Sequence, residues 1–109
     1  SDDLRTSAVE LAVQRGADCF LCMDDQVAQL ALSTLRQLNL RVPQDIRLAS
    51  LYDDEALQGC TPQITAVSFD AEQLGRRTAQ QLLSLIRHQP VETRTLLGYQ
   101  VGLRLSTQT

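Results

Sequence analysis

The sequence predicts an α/β fold, a parallel sheet flanked by helices, and three observations carry that expectation. Two unbroken apolar runs, CFLCM (19–23) and IRLASLY (46–52), have the length and character of strands buried on both faces. The segment between them, QVAQLALSTLRQLNL, is apolar at helical spacing, so the three pieces form a βαβ unit with short connections. Each strand runs out into acid, Asp24–Asp25 after the first and Tyr52–Asp53–Asp54 after the second. In an open parallel sheet, ligands collect in the crevice beyond the carboxyl ends of the strands. That edge is the expected small-molecule site.

The elements follow in order. Ser1 or Asp2 can cap a first helix running to about Arg15, with Val9, Ala12 and Val13 among its apolar positions. Gly16 stands where a left-handed cap is wanted, and Ala17–Asp18 turn into the first strand. Asp24 or Asp25 caps the next helix, which is apolar at Val27, Ala28, Leu30, Ala31, Leu32, Leu35 and Leu38. Pro43 takes Val42 out of helical conformation and closes that element. A loop over 54–62, acidic and then turn-rich, leads to a third strand, ITAVSF (64–69). Ala71 to Arg87 is the clearest helix, with Leu74, Ala79, Leu82, Leu83 and Ile86 on one face, and His88–Gln89–Pro90 ends it. The tail, 93–106, holds two short strand-like runs broken by Gly98.

Composition bounds what such a domain can do. The chain has 109 residues, one domain or a piece of a larger protein, and it opens inside a helix, which favours the piece. Four aromatics and no Trp require an aliphatic core. The net charge is −3 and all ten basic residues are Arg, spread evenly, so this segment by itself is a poor grip for phosphate backbones. No run is long enough to span a membrane and no signal peptide opens the chain. Three cysteines give no disulfide framework and point to a reducing compartment. Cys19 and Cys22 face opposite sides of a strand, so they cannot share a metal or pair with each other; both are expected to be buried core thiols, with Cys60 the more exposed.

Strand-end carboxylates can hold Mg²⁺ or serve as acid and base. Here there is no nucleophile beside a base, no Gly-rich phosphate loop, no Lys, and the lone His88 sits at a helix end far from the acids. Neither an enzyme, a metal site nor a cofactor is expected. The second helix is apolar over more than the stripe one sheet contact needs. Its other side meets either a neighbour in its own chain or a partner subunit. In the latter case Gln26, Val27, Gln29 and Leu30, with Cys60, form a dimer interface. A pure dimerisation module, indifferent to small ligands, is a further possibility.

Six segments in order, covering nearly the whole chain, resemble the effector-binding domain of the LacI/GalR family of bacterial transcription regulators. Asp24–Asp25–Gln26–Val27–Ala28 resembles the family's Asn-Asp-x-x-Ala, and Leu40–Arg41–Val42–Pro43–Gln44–Asp45–Ile46 its Leu-x-Val-Pro-x-Asp-Ile. Ser50–Leu51–Tyr52–Asp53 stands where Gly-Phe-Asp-Asp is usual, and Thr61–Pro62–Gln63–Ile64–Thr65–Ala66–Val67 is similar to Thr-Pro-x-Leu-Thr-Thr-Val. Leu74–Gly75 and Val101–Gly102–Leu103–Arg104 match the next helix and the closing strand.

The resemblance implies a type I periplasmic-binding-protein-like fold of two subdomains with a ligand between them. Residues 1–68 are then part of the C-terminal subdomain, 69–97 cross to the N-terminal one, and 98–109 return. It implies a cytoplasmic homodimer that reaches DNA only through an N-terminal helix-turn-helix head absent from this sequence, and a small-molecule effector, sugar-like or related. Position by position, the family's effector contacts fall on Asp24, Tyr52 and Phe69, with Asp53 beside them to touch ligand or to orient the loop. Asp24 replaces an amide, while Tyr52 and Phe69 replace polar groups with flat or apolar faces. This lining suits a ligand carrying donor or cationic groups and an apolar face better than a neutral sugar. The related alternative is a fragment of a periplasmic solute-binding protein.

Overall fold

In the computed structural model, which describes residues 2–108, the chain forms two compact units: Ser1–Ser68 with Val101–Thr109, and Phe69–Gln100. Four helices and four strands are laid out among the described residues. They are α1 (Asp2–Gln14), β1 (Cys19–Cys22), α2 (Asp25–Gln37), β2 (Arg47–Ser50), α3 (Glu55–Gln58), β3 (Thr65–Ser68), α4 (Ala71–Ile86) and β4 (Gln100–Gly102). A 3-10 turn, Leu105–Thr107, follows. The sheet has the order β1-β2-β3-β4, and β1–β2 and β2–β3 pair in parallel with Cys22 opposite Ser50 and Ser50 opposite Ala66.

Period-two alternation decides what the sheet buries in the first unit. Cys22, Leu48, Ile64 and Ala66 join Ala28, Ala31 and Leu32 of α2 and Leu57 of α3 in one aliphatic core, with Phe20 and Val9 packed against it. The opposite face of β1 is not covered by the described residues: Leu21 is 64% and Met23 73% exposed. The expectation of strands buried on both faces therefore fails at β1. An apolar run reports that a strand can be covered on both sides, and here α2 covers one. The same geometry corrects the cysteines, since Cys19 is exposed, Cys22 buried and Cys60 in between. Burial, with Asp24 and Cys19 nearby, pushes the Cys22 thiol up to about 11.

Three of the strand-to-helix turns use one device. Asp24, Asp54 and Asp70 each have extended backbone, and their carboxylates accept from the N–H groups of Val27, Ala56 and Gln73 at 2.9, 3.0 and 3.0 Å. These bonds satisfy amides that a helix start leaves unpaired. Helix ends share a device as well. Gly16, Asn39 and His88 have φ of 89°, 59° and 56°. In each case the next residue's N–H bonds to the carbonyl five residues back, as Leu40 does to the Leu35 carbonyl at 2.9 Å and Gln89 to that of Ser84 at 2.8 Å. Gly16 was expected in that role. The end of α2 was assigned to Pro43, but Asn39 closes it first, because Asn tolerates the left-handed region well enough to cap. The expected Ser1 cap lies outside the described residues, and Asp2 is already helical.

Two further expectations are corrected. The 54–62 loop contains a helical turn, α3, held down by the fully buried Leu57. Of the two strand-like runs in the tail only Gln100–Gly102 is a strand, the segment before Gly98 being irregular. In the second unit α4 is capped by Asp70 and carries an exposed Arg76–Glu72 pair at 3.0 Å; Gln81 donates to Thr95, and none of its apolar side chains is fully buried. No helix among the described residues is long and apolar enough to cross a membrane.

Candidate functional site

The carboxyl ends of β1 and β2 bring two of the expected residues to one edge. Register pairs Cys22 with Ser50, and the Leu51 N–H continues the pairing to the Cys22 carbonyl at 2.8 Å. Asp24 and Tyr52 therefore stand at matching positions, each two residues past its strand end. Asp24 is half-buried and caps α2 through Oδ1 alone, which leaves Oδ2 able to accept from a ligand donor. Tyr52 is 46% exposed, and its loop is folded by Ser50, whose hydroxyl donates to the Tyr52 carbonyl at 2.6 Å and accepts from the Tyr52 N–H at 3.2 Å. Ser50 is itself buried, so the turn that presents Tyr52 is anchored in the core.

Asp53 points elsewhere. Its two oxygens accept from Nη1 and Nη2 of Arg104 at 2.9 and 2.7 Å, a bidentate pair with each side chain 15% exposed. The Arg104 hydrogen bonds hold the Asp53 carboxyl below the usual carboxylate range, and the pair raises Arg104 in turn. Of the two roles open to Asp53, this geometry favours orienting the loop. Arg104 also donates to the Ile64 carbonyl at 2.7 Å. Behind it, Thr65 Oγ1 accepts from the Arg104 N–H at 2.8 Å, and the buried Ser106 hydroxyl bridges the Thr65 N–H and the Leu48 carbonyl at 2.8 and 2.5 Å. Sequence reasoning missed Arg104, Thr65 and Ser106 as a group. The only signal was an isolated Arg in an otherwise apolar closing segment, and its partner lies 51 positions away.

The remaining expected residues lie on other segments. Phe69, 41% exposed, begins the second unit. Gln26 is exposed and Gln29 and Leu30 are half-buried on α2, whereas Val27 and Cys60 pack against the chain's own core. Cys60 donates its thiol proton to the Ala56 carbonyl at 3.2 Å. No group of three or more potential metal ligands occurs among the described residues. Concave patches do occur away from the edge, one beside the end of α1 and one at the amino ends of β1 and β2 around Asp18, Pro43 and Arg47. Neither includes Asp24 or Tyr52, and neither lies at the strand ends where parallel sheets bind ligands.

Comparison with known proteins decides the family. The periplasmic binding protein-like domain model matches residues 3–107. The chain belongs to that family, among its LacI/GalR-type transcription regulators. It is 33% identical over 92 residues to the transcriptional regulator IdnR of Escherichia coli K12, covering 84% of this chain and 28% of that protein. It is 31% identical over 93 residues to the regulator GalR of Streptococcus thermophilus, with the same coverage. Among solved structures, the regulator CcpA of Lactococcus lactis superposes with a TM-score of 0.88 at 26% identity, over 99% of this chain and 40% of that one. The lac repressor dimer bound to operator and an anti-inducer superposes with a TM-score of 0.85 at 25% identity, over 96% of this chain and 32% of that one. This LacI/GalR-family chain thus spans 28% of the length of the first two relatives and corresponds to part of their ligand-binding domain.

Proposed function

We propose that this chain is the C-terminal part of the effector-binding and dimerisation region of a cytoplasmic LacI/GalR-type repressor, and that it is not an enzyme. Its effector is a small molecule held at the β1–β2 edge, with Asp24 accepting from ligand donors and Tyr52 offering a ring face and a hydroxyl. The observation that carries this reading is the matched placement of Asp24 and Tyr52 past two parallel strands, one capping through a single oxygen and the other raised on a core-anchored turn. Phe69 is the third contact by resemblance, and Asp53 holds the loop. A carboxylate beside a flat aromatic favours a ligand with hydroxyl or amine donors and an apolar face.

Dimerisation uses the exposed side of α2 around Gln26, Gln29 and Leu30, with Val27 and Cys60 at its margin. DNA contact belongs to a separate head of the whole protein, since the ten arginines here form no patch. The lac repressor structure, a dimer on operator with an anti-inducer, supports this division of labour. The effector acts by unequal affinity for the DNA-binding and non-binding arrangements. The solute-binding alternative is not favoured, because the relatives found are regulators.

The test is thermal shift of the whole protein against sugars, sugar acids, sugar phosphates, nucleosides and amines. A ligand at 100 times its Kd adds about 2.7 kcal/mol to the folded state. A hit lost in Tyr52→Ala supports the site, and a hit indifferent to both Tyr52→Ala and Asp24→Asn places the ligand elsewhere.

A further inference from the structure

Arg104 connects more than Asp53. Its guanidinium lies in a cage made by three successive pieces of chain: the Asp53 carboxylate after β2, the Ile64 carbonyl before β3, and Gly102 of β4. A Cβ built on Gly102 would meet Arg104 Nη2 at 3.3 Å, and its Cζ and Nε at 3.6 Å, so a side chain there would crowd the guanidinium. Its backbone N–H is bound in turn to Thr65 Oγ1, at the start of β3. β3 is the strand by which the chain leaves the first unit, at Ser68, and β4 is where it re-enters, at Val101. One residue therefore ties the exit strand, the return strand and the loop carrying Tyr52.

We propose that Arg104 is a positioning residue: its guanidinium, beside Gly102, holds the Tyr52–Asp54 loop in register with the two connecting strands, so that a shift in those strands is felt at Tyr52. Several features set this apart from a pair that only adds stability. The fork is fixed on both arms, because Nη1 serves Asp53 and the Ile64 carbonyl together while Nη2 serves Asp53 alone. A Lys ammonium cannot reproduce that planar arrangement. The backbone behind the fork is held separately, by Thr65 and Ser106, so the side chain can be altered while β3 and the closing turn stay in place. Asp53 is joined directly to Tyr52, whose own turn is pinned by Ser50; loss of the fork therefore releases the outer half of the loop first.

The inference rests on the reading of Tyr52 as a ligand contact only for its consequence, and its test uses no ligand. Residue-resolved amide exchange is followed in the full chain and in three variants. Arg104→Lys keeps the charge and loses the fork, Gly102→Val displaces the fork while keeping Arg104, and Asp53→Asn removes the charge and one of the two accepting oxygens. The expected result is exchange at Tyr52, Asp53 and Asp54 at least tenfold faster in all three, with Leu48, Ala49 and Ala66 unchanged. The Tyr52 amide shift should titrate with Asp53 in the wild type and lose that pH dependence in Asp53→Asn. Loop exchange equal to wild type in Arg104→Lys and Gly102→Val would overturn the proposal. So would a uniform increase across loop and strands, the mark of a pair that merely stabilises. Failure of the effector assignment shows instead as an unchanged ligand response in Tyr52→Ala with the loop exchange result intact.

Discussion

Replacing Asp53 with Asn removes a charge from a site where both partners are only 15% exposed and two hydrogen bonds of 2.9 and 2.7 Å are made. Hydrogen bonds to charged groups contribute about 1.5–3 kcal/mol each, and removing one partner of a fully buried pair costs about 3–5 kcal/mol. Residual solvent access and the surviving Arg104 bond to Ile64 reduce that figure, so we expect a loss of about 2–3 kcal/mol at pH 7. At about 4–8 °C per kcal/mol for a domain near 100 residues, this is a fall in Tm of roughly 8–24 °C.

The pH dependence has a defined sign. The folded-state pKa of Asp53 lies below its ordinary value of about 3.9, so its contribution is complete above the unfolded pKa and is lost as pH falls through the folded one. Urea unfolding of the wild type and Asp53→Asn, followed by far-UV circular dichroism from pH 7 to pH 3, should show a constant gap down to about pH 5. The gap should narrow below about pH 4. A difference under about 0.5 kcal/mol at pH 7, or a gap that widens on acidification, would refute the reasoning.

Leu57→Ala should cost about 3 kcal/mol in urea unfolding, since a fully buried Leu is what fastens the single turn of α3 to the core. Asn39→Val should cost about 1–2 kcal/mol by forcing a β-branched residue to positive φ, whereas Asn39→Gly should stay within about 0.5 kcal/mol of wild type. In a native thiol assay at pH 8, Cys22 should react at least about a hundredfold more slowly than Cys19, because its thiol is buried and raised to about 11. Mutation of Cys19 to Ser should then remove the fast phase.

The helices and strands were legible because their signals are local. Each strand-end acid pair contains one residue that caps the following helix, and Gly16 marks a left-handed turn. Which acid of a pair does the capping was not legible. Asp24 caps and Asp25 does not, Asp54 caps and Asp53 does not, and that choice is what frees Asp53 for Arg104. The ion pair could not be read from the chain, because nothing local links position 53 to position 104. Overestimated burial at Cys19 and Leu21 has a related cause: composition says which surfaces are apolar, while neighbours decide which are covered. Family resemblance supplied the expected position of the site but not its geometry, and register between β1 and β2 then placed Asp24 level with Tyr52.

The proposed function requires that Tyr52 and Asp24 receive a small ligand that changes DNA binding. The most direct measurement is operator affinity of the whole protein with and without a ligand found by thermal shift, in the wild type and in Tyr52→Ala. The account predicts an operator affinity that changes with ligand in the wild type, and a variant that still binds operator but no longer responds. A Tyr52→Ala protein that responds like the wild type would contradict it.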